Sequence, residues 1–291
     1  SGTLSVEAAK KLADKNDASL EEVRRAAGYS APLEEVKLPR EYYDAFVELH
    51  IEQGSLLEQR KIPLGIVTNI AAPASLRIFI EGAGGHAGAV LMPDRHDALC
   101  AAAELILAIE NAAKTSGACD TAAIGAAVRG TANAAAAAAV DTVATVGICE
   151  VFPGAVNSIP SRVQLTLDIR DTNLERRDAA MRAIEVARQT IAAKRNVSIR
   201  EEVVNADAPA ECSPKIIEAL SQACLKHGLP SIRMVSRAYH DSLFMSRISP
   251  VAMLFIPCRN GYSHRPDEYA SPEDIGRGVL VLAEALAALA A

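Results

Sequence analysis

No C-x-x-C pair occurs among the six cysteines Cys100, Cys119, Cys149, Cys212, Cys224 and Cys258. Their scatter argues against a zinc ribbon and against a readable disulfide framework. Basic residues do not cluster, aromatic residues make up only 4% of the chain, and the net charge is −6. That balance argues against nucleic acid as a partner. No apolar run approaches the roughly 20 residues that span a bilayer. The alanine-rich stretch 279–291 is too short for that and reads as a packing helix. The chain opens Ser1-Gly2, with neither an initiator methionine nor a signal-peptide pattern. This reads as a fragment or processed form, with any targeting segment upstream.

What is present is a chain of 291 residues, half of them hydrophobic, long enough to bury a large core. It is organised around residues 46–54, Phe-Val-Glu-Leu-His-Ile-Glu-Gln-Gly. With period two, Val47, Leu49 and Ile51 share one face, and Glu48, His50 and Glu52 share the other. The expectation is a strand buried on one side, breaking at Gly54 with Gln53 at its end.

Before it, residues 4–14 and 19–27 have helical spacing, and Ser19 with Glu22 forms a capping pattern. After it, 56–61 reads as a helical turn and 66–70 as a strand, with Pro73 marking a crossing between domains. From Ser75 the pattern becomes strand (76–80), helix (97–114), strands (143–151 and 163–169), helix (173–195) and strand (197–204). Leu99, Ala102, Ile106, Ile109 and Ala113 share one face of the first helix. A βαββαβ order of this length is a ferredoxin-like unit. A second α/β portion follows, with a helix at 214–227, strands at 232–235 and 251–255, and a final helix opened by Ser271-Pro272. One segment does not fit: an alanine-rich excursion at 118–140 interrupts the approach to Val143.

Three stretches draw attention for chemistry. His86 lies in Gly84-Gly85-His86-Ala87-Gly88, where small residues let a loop bring an imidazole close to a ligand. Arg170, flanked by Asp168 and Asp171, suits a substrate carboxylate or a local ion pair. Asn157, ahead of Ile159-Pro160, suits the same pocket or a purely structural turn.

Several motifs in a fixed order resemble the M20-type amidohydrolases. They are H-I-E-Q-G from His50, G-G-H-A-G from Gly84, N-S-I-P from Asn157, D-I-R-D from Asp168, A-Y-H-D-S from Ala238 and G-Y-S-H-R-P-D-E-Y from Gly261. More narrowly, they resemble the branch of N-carbamoyl-L-amino acid, allantoate and ureidoglycolate amidohydrolases. The resemblance covers nearly all of this chain, but only the back part of the family's length.

It implies an α/β fold: a partial phosphorylase/hydrolase-like metallopeptidase domain with an inserted ferredoxin-like lid and dimerisation domain. The expected division is 1–73 and 206–291 for the metallopeptidase portion and 74–205 for the lid. It implies His50 and His264 as metal ligands and His86 as the oxyanion-stabilising residue, able to arrive from a neighbouring subunit. Gln53, Asn157, Arg170, Tyr239 and His240 are the implied substrate contacts. The family's H-x-D motif has no counterpart here, and its Glu base belongs to the preceding portion, so the chain alone is expected to lack hydrolase activity. Glu48 and Glu52 are set aside as ligands, because the resemblance places neither at the metal.

Carbamoyl-amino-acid hydrolases usually read G-H-D-A where this chain reads Tyr239-His240-Asp241-Ser242. A phenol there favours a small hydroxylated ureido acid. The expected activity is therefore hydrolysis of ureidoglycolate to glyoxylate, ammonia and carbon dioxide, in a homodimer with two divalent ions, Mn2+ or alternatively Zn2+. Allantoate and N-carbamoyl-L-amino acids are alternative substrates, and a non-catalytic dimerisation and binding fragment is the rival reading. A plant ureidoglycolate enzyme implies the endoplasmic reticulum, otherwise the cytoplasm.

Overall fold

The structure, a computed structural model, describes residues 2–116 and 142–291. The alanine-rich excursion expected at 118–140 falls outside them. The chain begins with α1 (Val6–Lys10), α2 (Leu20–Ala26), β1 (Phe46–Ile51), α3 (Leu56–Arg60) and β2 (Leu64–Ile70). There follow β3 (Ala72–Glu81), β4 (Gly85–His86), α4 (Ala98–Ser116), β5 (Val143–Phe152), β6 (Ser158–Ile159), β7 (Arg162–Asp171), α5 (Leu174–Arg195) and β8 (Ser198–Ala206). The last portion holds β9 (Ala210–Glu211), α6 (Pro214–Lys226), β10 (Ser231–Ser236), α7 (Asp241–Met245), β11 (Val251–Ile256) and α8 (Pro272–Leu289).

Two larger sheets, each with its own core, carry most of these strands, and β4 with β6 forms a third of two strands. The first runs β1-β11-β2-β10, with β9 beside β2. β1 is parallel to β11, β11 antiparallel to β2, and β2 parallel to β10. Every residue of β11 is buried, because it is paired on both sides. β11 is thus interior, flanked by β1 and β2, whereas β1 forms an edge of the sheet among the described residues. Helix α8 packs closely on this sheet at Gly278, where a Cβ would lie 2.8 Å from both Leu49 and Ile256. Only a glycine lets the helix backbone approach so near.

The second sheet runs β5-β7-β3-β8, antiparallel throughout, with α4 and α5 between its strands in sequence. This is the βαββαβ topology expected. Val163, Leu165, Leu167 and Ile169 alternate along β7 and are all fully buried, because one face of the sheet lies against the helices. Helix α4 buries Ala102, Ile109 and Ala113 and packs Ile106 on the core as expected, together with Ala98, Ala101, Leu105 and Ala112, while Leu99 is exposed. Asp97 caps its start through Leu99 N–H and Cys100 N–H, which sets the rotation. No helix among the described residues is long and apolar enough to cross a membrane.

The chain passes from the first sheet to the second at Ala71, whose N–H donates to Ser236 O, rather than at Pro73. Pro73 is already within β3, one residue before pairing with β8 begins, where a missing N–H costs little. Both crossings are held by one side chain. Buried Arg177 of α5 donates to the carbonyls of Ala72 and Asp207.

A buried ion pair ends β7. Asp171 accepts from Thr142 Oγ1 at 2.6 Å, Arg176 Nε at 2.7 Å and Asn173 N–H at 2.8 Å. Burial alone would push this carboxyl up, but the Arg176, Thr142 and Asn173 donors outweigh it and hold it below 3.8. Its stabilising contribution is therefore complete above that value and is lost as pH falls through the lowered one. Asp171→Asn is expected to cost about 3–5 kcal/mol of unfolding free energy at pH 7. Urea titration checks this, and the gap from the parent should close below about pH 4.

Candidate active site

The alternation of β1 creates the site. Val47, Leu49 and Ile51 pack toward the core, which turns Glu48 and His50 to the opposite face. Parallel pairing with β11 places His50 beside Phe255. At the strand's end the Glu52 carboxylate accepts from the N–H groups of Leu56 and Leu57, at 2.9 and 2.8 Å. It thus caps α3, which accounts for Glu52 without a role at a metal. The loop carrying His264 lies on this same turn. Gly261, at φ 66°, would bring a Cβ to 2.8 Å from Gly54 C, so the contact requires glycine. Gln53 Nε2 donates to Ser263 Oγ at 2.6 Å.

His50 meets His240, and the loop carrying His264 lies at the end of the same strand through Gln53 and Ser263. The rings of His50 and His240 are edge to face at 4.7 Å. His240 Nδ1 lies 3.9 Å from Glu48 Oε1. Ligand atoms of Glu48, His50 and His240 all lie within 4.8 Å of one another. Burial, then the neighbouring His50, pushes the His240 imidazole down to about 4, so it is neutral near pH 7. His264, at φ 58°, is exposed, and its N–H is bonded to Glu268. His240, expected as a substrate contact, thus lies against His50 and near Glu48, which shares the polar face of β1 with His50.

A cavity of about 570 Å³ opens at the end of β1. Its polar lining is Glu52 and Gln53 from the end of β1, Arg170 from β7, and Arg60 and Arg237. Two of the expected substrate contacts, from different sheets, therefore share one cavity. Arg170 forms the local ion pair, a two-pronged bond to Asp168 at 2.7 and 3.2 Å, and also donates to Arg237 O. Three of the guanidinium's five N–H groups are used in this way, leaving two for a ligand in the cavity.

Tyr239 does not line the cavity. Its hydroxyl donates to Asp207, which also receives Arg247, and its ring stacks edgewise on Phe244. Burial and the Asp207 carboxylate push the phenol up to about 12. The expected free hydroxyl in the pocket is thus engaged elsewhere.

His86 and Asn157 come together, but not here. β4 pairs with β6, and Ala87 N–H donates to Asn157 O at 2.9 Å. Both are exposed at the far end of the lid. Arg170 pairs with Pro73, whereas His86 follows Glu81 at the other end of β3, roughly 25–30 Å away at strand rise. Gly88 N–H donates to His86 Nδ1 at 3.1 Å, which leaves the proton on Nε2, pointing outward as a donor.

The donor set of the β1 cluster, two imidazoles and a carboxylate, suits a borderline divalent ion such as manganese or zinc. Residues 18–288 match the description peptidase family M20/M25/M40. The chain is 47% identical to the ureidoglycolate hydrolase of Arabidopsis thaliana, over 96% of this chain and 55% of that protein. It is 39% identical to the N-carbamoyl-L-amino acid amidohydrolase of Geobacillus stearothermophilus, over 82% of this chain and 53% of the other. Among solved structures it superposes on AtUAH in complex with glyoxylate with a TM-score of 0.80 and 45% identity, covering 98% of this chain and 64% of that one. It therefore spans little more than half the length of the curated relatives it matches. With this coverage of motif, sheet order and sequence, the chain belongs to the M20/M25/M40 peptidase family.

Proposed function

We propose that the protein is a metal-dependent amidohydrolase of small ureido acids, with ureidoglycolate as its substrate. The observation that carries this is the shared cavity: Gln53 beside the His50 strand and Arg170 from the lid face one space, with two further guanidiniums along it. An anionic, hydrogen-bonding molecule suits that lining. The similarity to ureidoglycolate hydrolases favours ureidoglycolate over allantoate and N-carbamoyl amino acids.

A bound divalent ion, Mn2+ before Zn2+, supplies Lewis acidity and an activated water. The chain's own residues bind and orient. Arg170 and Gln53 hold the carboxylate and hydroxyl end, which presents the ureido carbonyl toward His50. His50 and His264 are the ligands that the family pattern assigns to the complete centre. Asn157 and His86 act together, with His86 Nε2–H donating to the oxygen of the carbonyl as it gains charge. Because His86 is remote from His50 within one chain, its function requires a second copy. The open face and free edges of the lid sheet, with Val143, Ile148, Phe152, Val203 and Val204 exposed, are the surface for that pairing.

Ammonia release from ureidoglycolate by the whole natural protein, loaded with Mn2+, tests the activity; no turnover would support a purely binding role. In that protein Arg170→Lys should raise KM by about tenfold or more, since an ammonium cannot make the two-pronged bond. An unchanged KM removes Arg170 from the site. Assembly has its own test. Sedimentation should show a dimer, and mixing inactive His50→Ala and His86→Ala protomers should restore turnover that neither has alone. Failure to complement would mean that His86 serves its own chain or none.

A further inference from the structure

Gln53 follows β1 in a left-handed backbone conformation, φ 55°, which strains a residue other than glycine. Its neighbours hold the turn in place. Glu52 N–H donates to Ile256 O at 2.9 Å, Cys258 Sγ–H donates to Gly54 O at 3.6 Å, and the Gly261 backbone packs against Gly54 and Ser55. The loop that makes these contacts is itself tied to α3, where Asn260 N–H donates to Glu58 Oε2 at 2.7 Å. The backbone is thus pinned on both sides of the Gln53–Ser263 bond, and that bond, at 2.6 Å, sets which way the carboxamide faces. With Nε2 engaged by Ser263 Oγ, the oxygen Oε1 is the atom left for a ligand.

The cavity's lining agrees with that orientation. Arg60, Arg170 and Arg237 can only donate, so they favour an oxygen turned toward them over an amide N–H2 group. Glu52 gives one oxygen each to the N–H groups of Leu56 and Leu57. Among these lining side chains, Gln53 Oε1 is therefore the uncharged acceptor. It cannot bond a carboxylate, which only accepts, and that group falls to Arg170. An acceptor beside a carboxylate-binding guanidinium reads a donor beside the ligand's carboxylate. In a ureido acid whose carbonyl turns toward His50, the ureido N–H groups turn with it. The donor left for Gln53 is a hydroxyl on the carbon that bears the carboxylate. We propose that Ser263 is a positioning residue that fixes the Gln53 carbonyl oxygen toward the cavity, so that the site selects ureido acids carrying such a hydroxyl. This rests on the proposed hydrolysis of ureido acids and adds to it the residue that sets the choice among them.

The test compares ureidoglycolate with ureidoacetate, which has hydrogen in place of the hydroxyl, in the whole natural protein loaded with Mn2+. The parent should favour ureidoglycolate in kcat/KM by about a hundredfold or more. Ser263→Ala should cut that ratio by about tenfold or more, whereas Ser263→Thr, which keeps a hydroxyl, should preserve it. A general loosening of the turn would lower both rates together and leave the ratio alone. Gln53→Glu, with an oxygen on both arms, should raise KM for both compounds by charge repulsion and keep the preference. A ratio unchanged in Ser263→Ala or lost in Gln53→Glu would overturn the proposal, as would a parent without the preference. Far-UV circular dichroism establishes that each variant is folded, and Gln53→Glu carries the decision if Ser263→Ala is not. Turnover of neither compound would be a failure of the hydrolase reading instead. Calorimetric titration with the same two compounds then measures the preference as a ratio of Kd, and the same variants decide it in the same way.

Discussion

Arg177 holds the two halves of the structure in one arrangement. The chain leaves the first sheet at Ala72 and returns at Asp207, and the Arg177 guanidinium donates to both carbonyls. A nearly buried guanidinium is costly to leave unpaired, so the two crossings stay together. On this depends the cavity between β1 and β7, because Gln53 and Arg170 belong to different sheets.

The loop from Ser236 to Ser242 is tied from both sides of that crossing. Arg170 on the lid donates to Arg237 O, and Tyr239 donates to Asp207 at the lid's exit. From the first sheet, Glu48 receives Ser242. His240 is thus placed by bonds to three separate segments, and its burial keeps the imidazole neutral near pH 7.

Arg170 serves two ends at once. Its pair with Asp168 fixes the guanidinium plane, and the side chain lines the cavity. A fixed plane loses less freedom on meeting a carboxylate than a free side chain does. The local ion pair and the ligand contact are therefore compatible roles.

Much was written locally in the chain. The period-two alternation of β3 and β7, the capping box at Ser19 and Glu22, and the βαββαβ order follow from near-neighbour chemistry, and the structure carries them, while all six residues of β1 are half-buried. The capping oxygens are close to the N–H groups they serve, so a short window of sequence suffices. On α4 only Leu99 departs from the expected face, because Ala98 and Ala101 fill the first turn's contact with the core instead. The partner of His50 could not be read at all. Glu48 and His50 are two residues apart, but His240 arrives from nearly two hundred residues away, and only the pairing of β1 with β11 and the Ser242 bond bring it there. Likewise, the spacing of Pro73 and Glu81 along β3 put His86 at the far end of the lid, a distance set by strand geometry and not by motif. The sequence by itself determined which side chains could do chemistry and which face of each strand they occupy; the tertiary structure decided which of them meet, because long-range pairing depends on the packing of whole sheets.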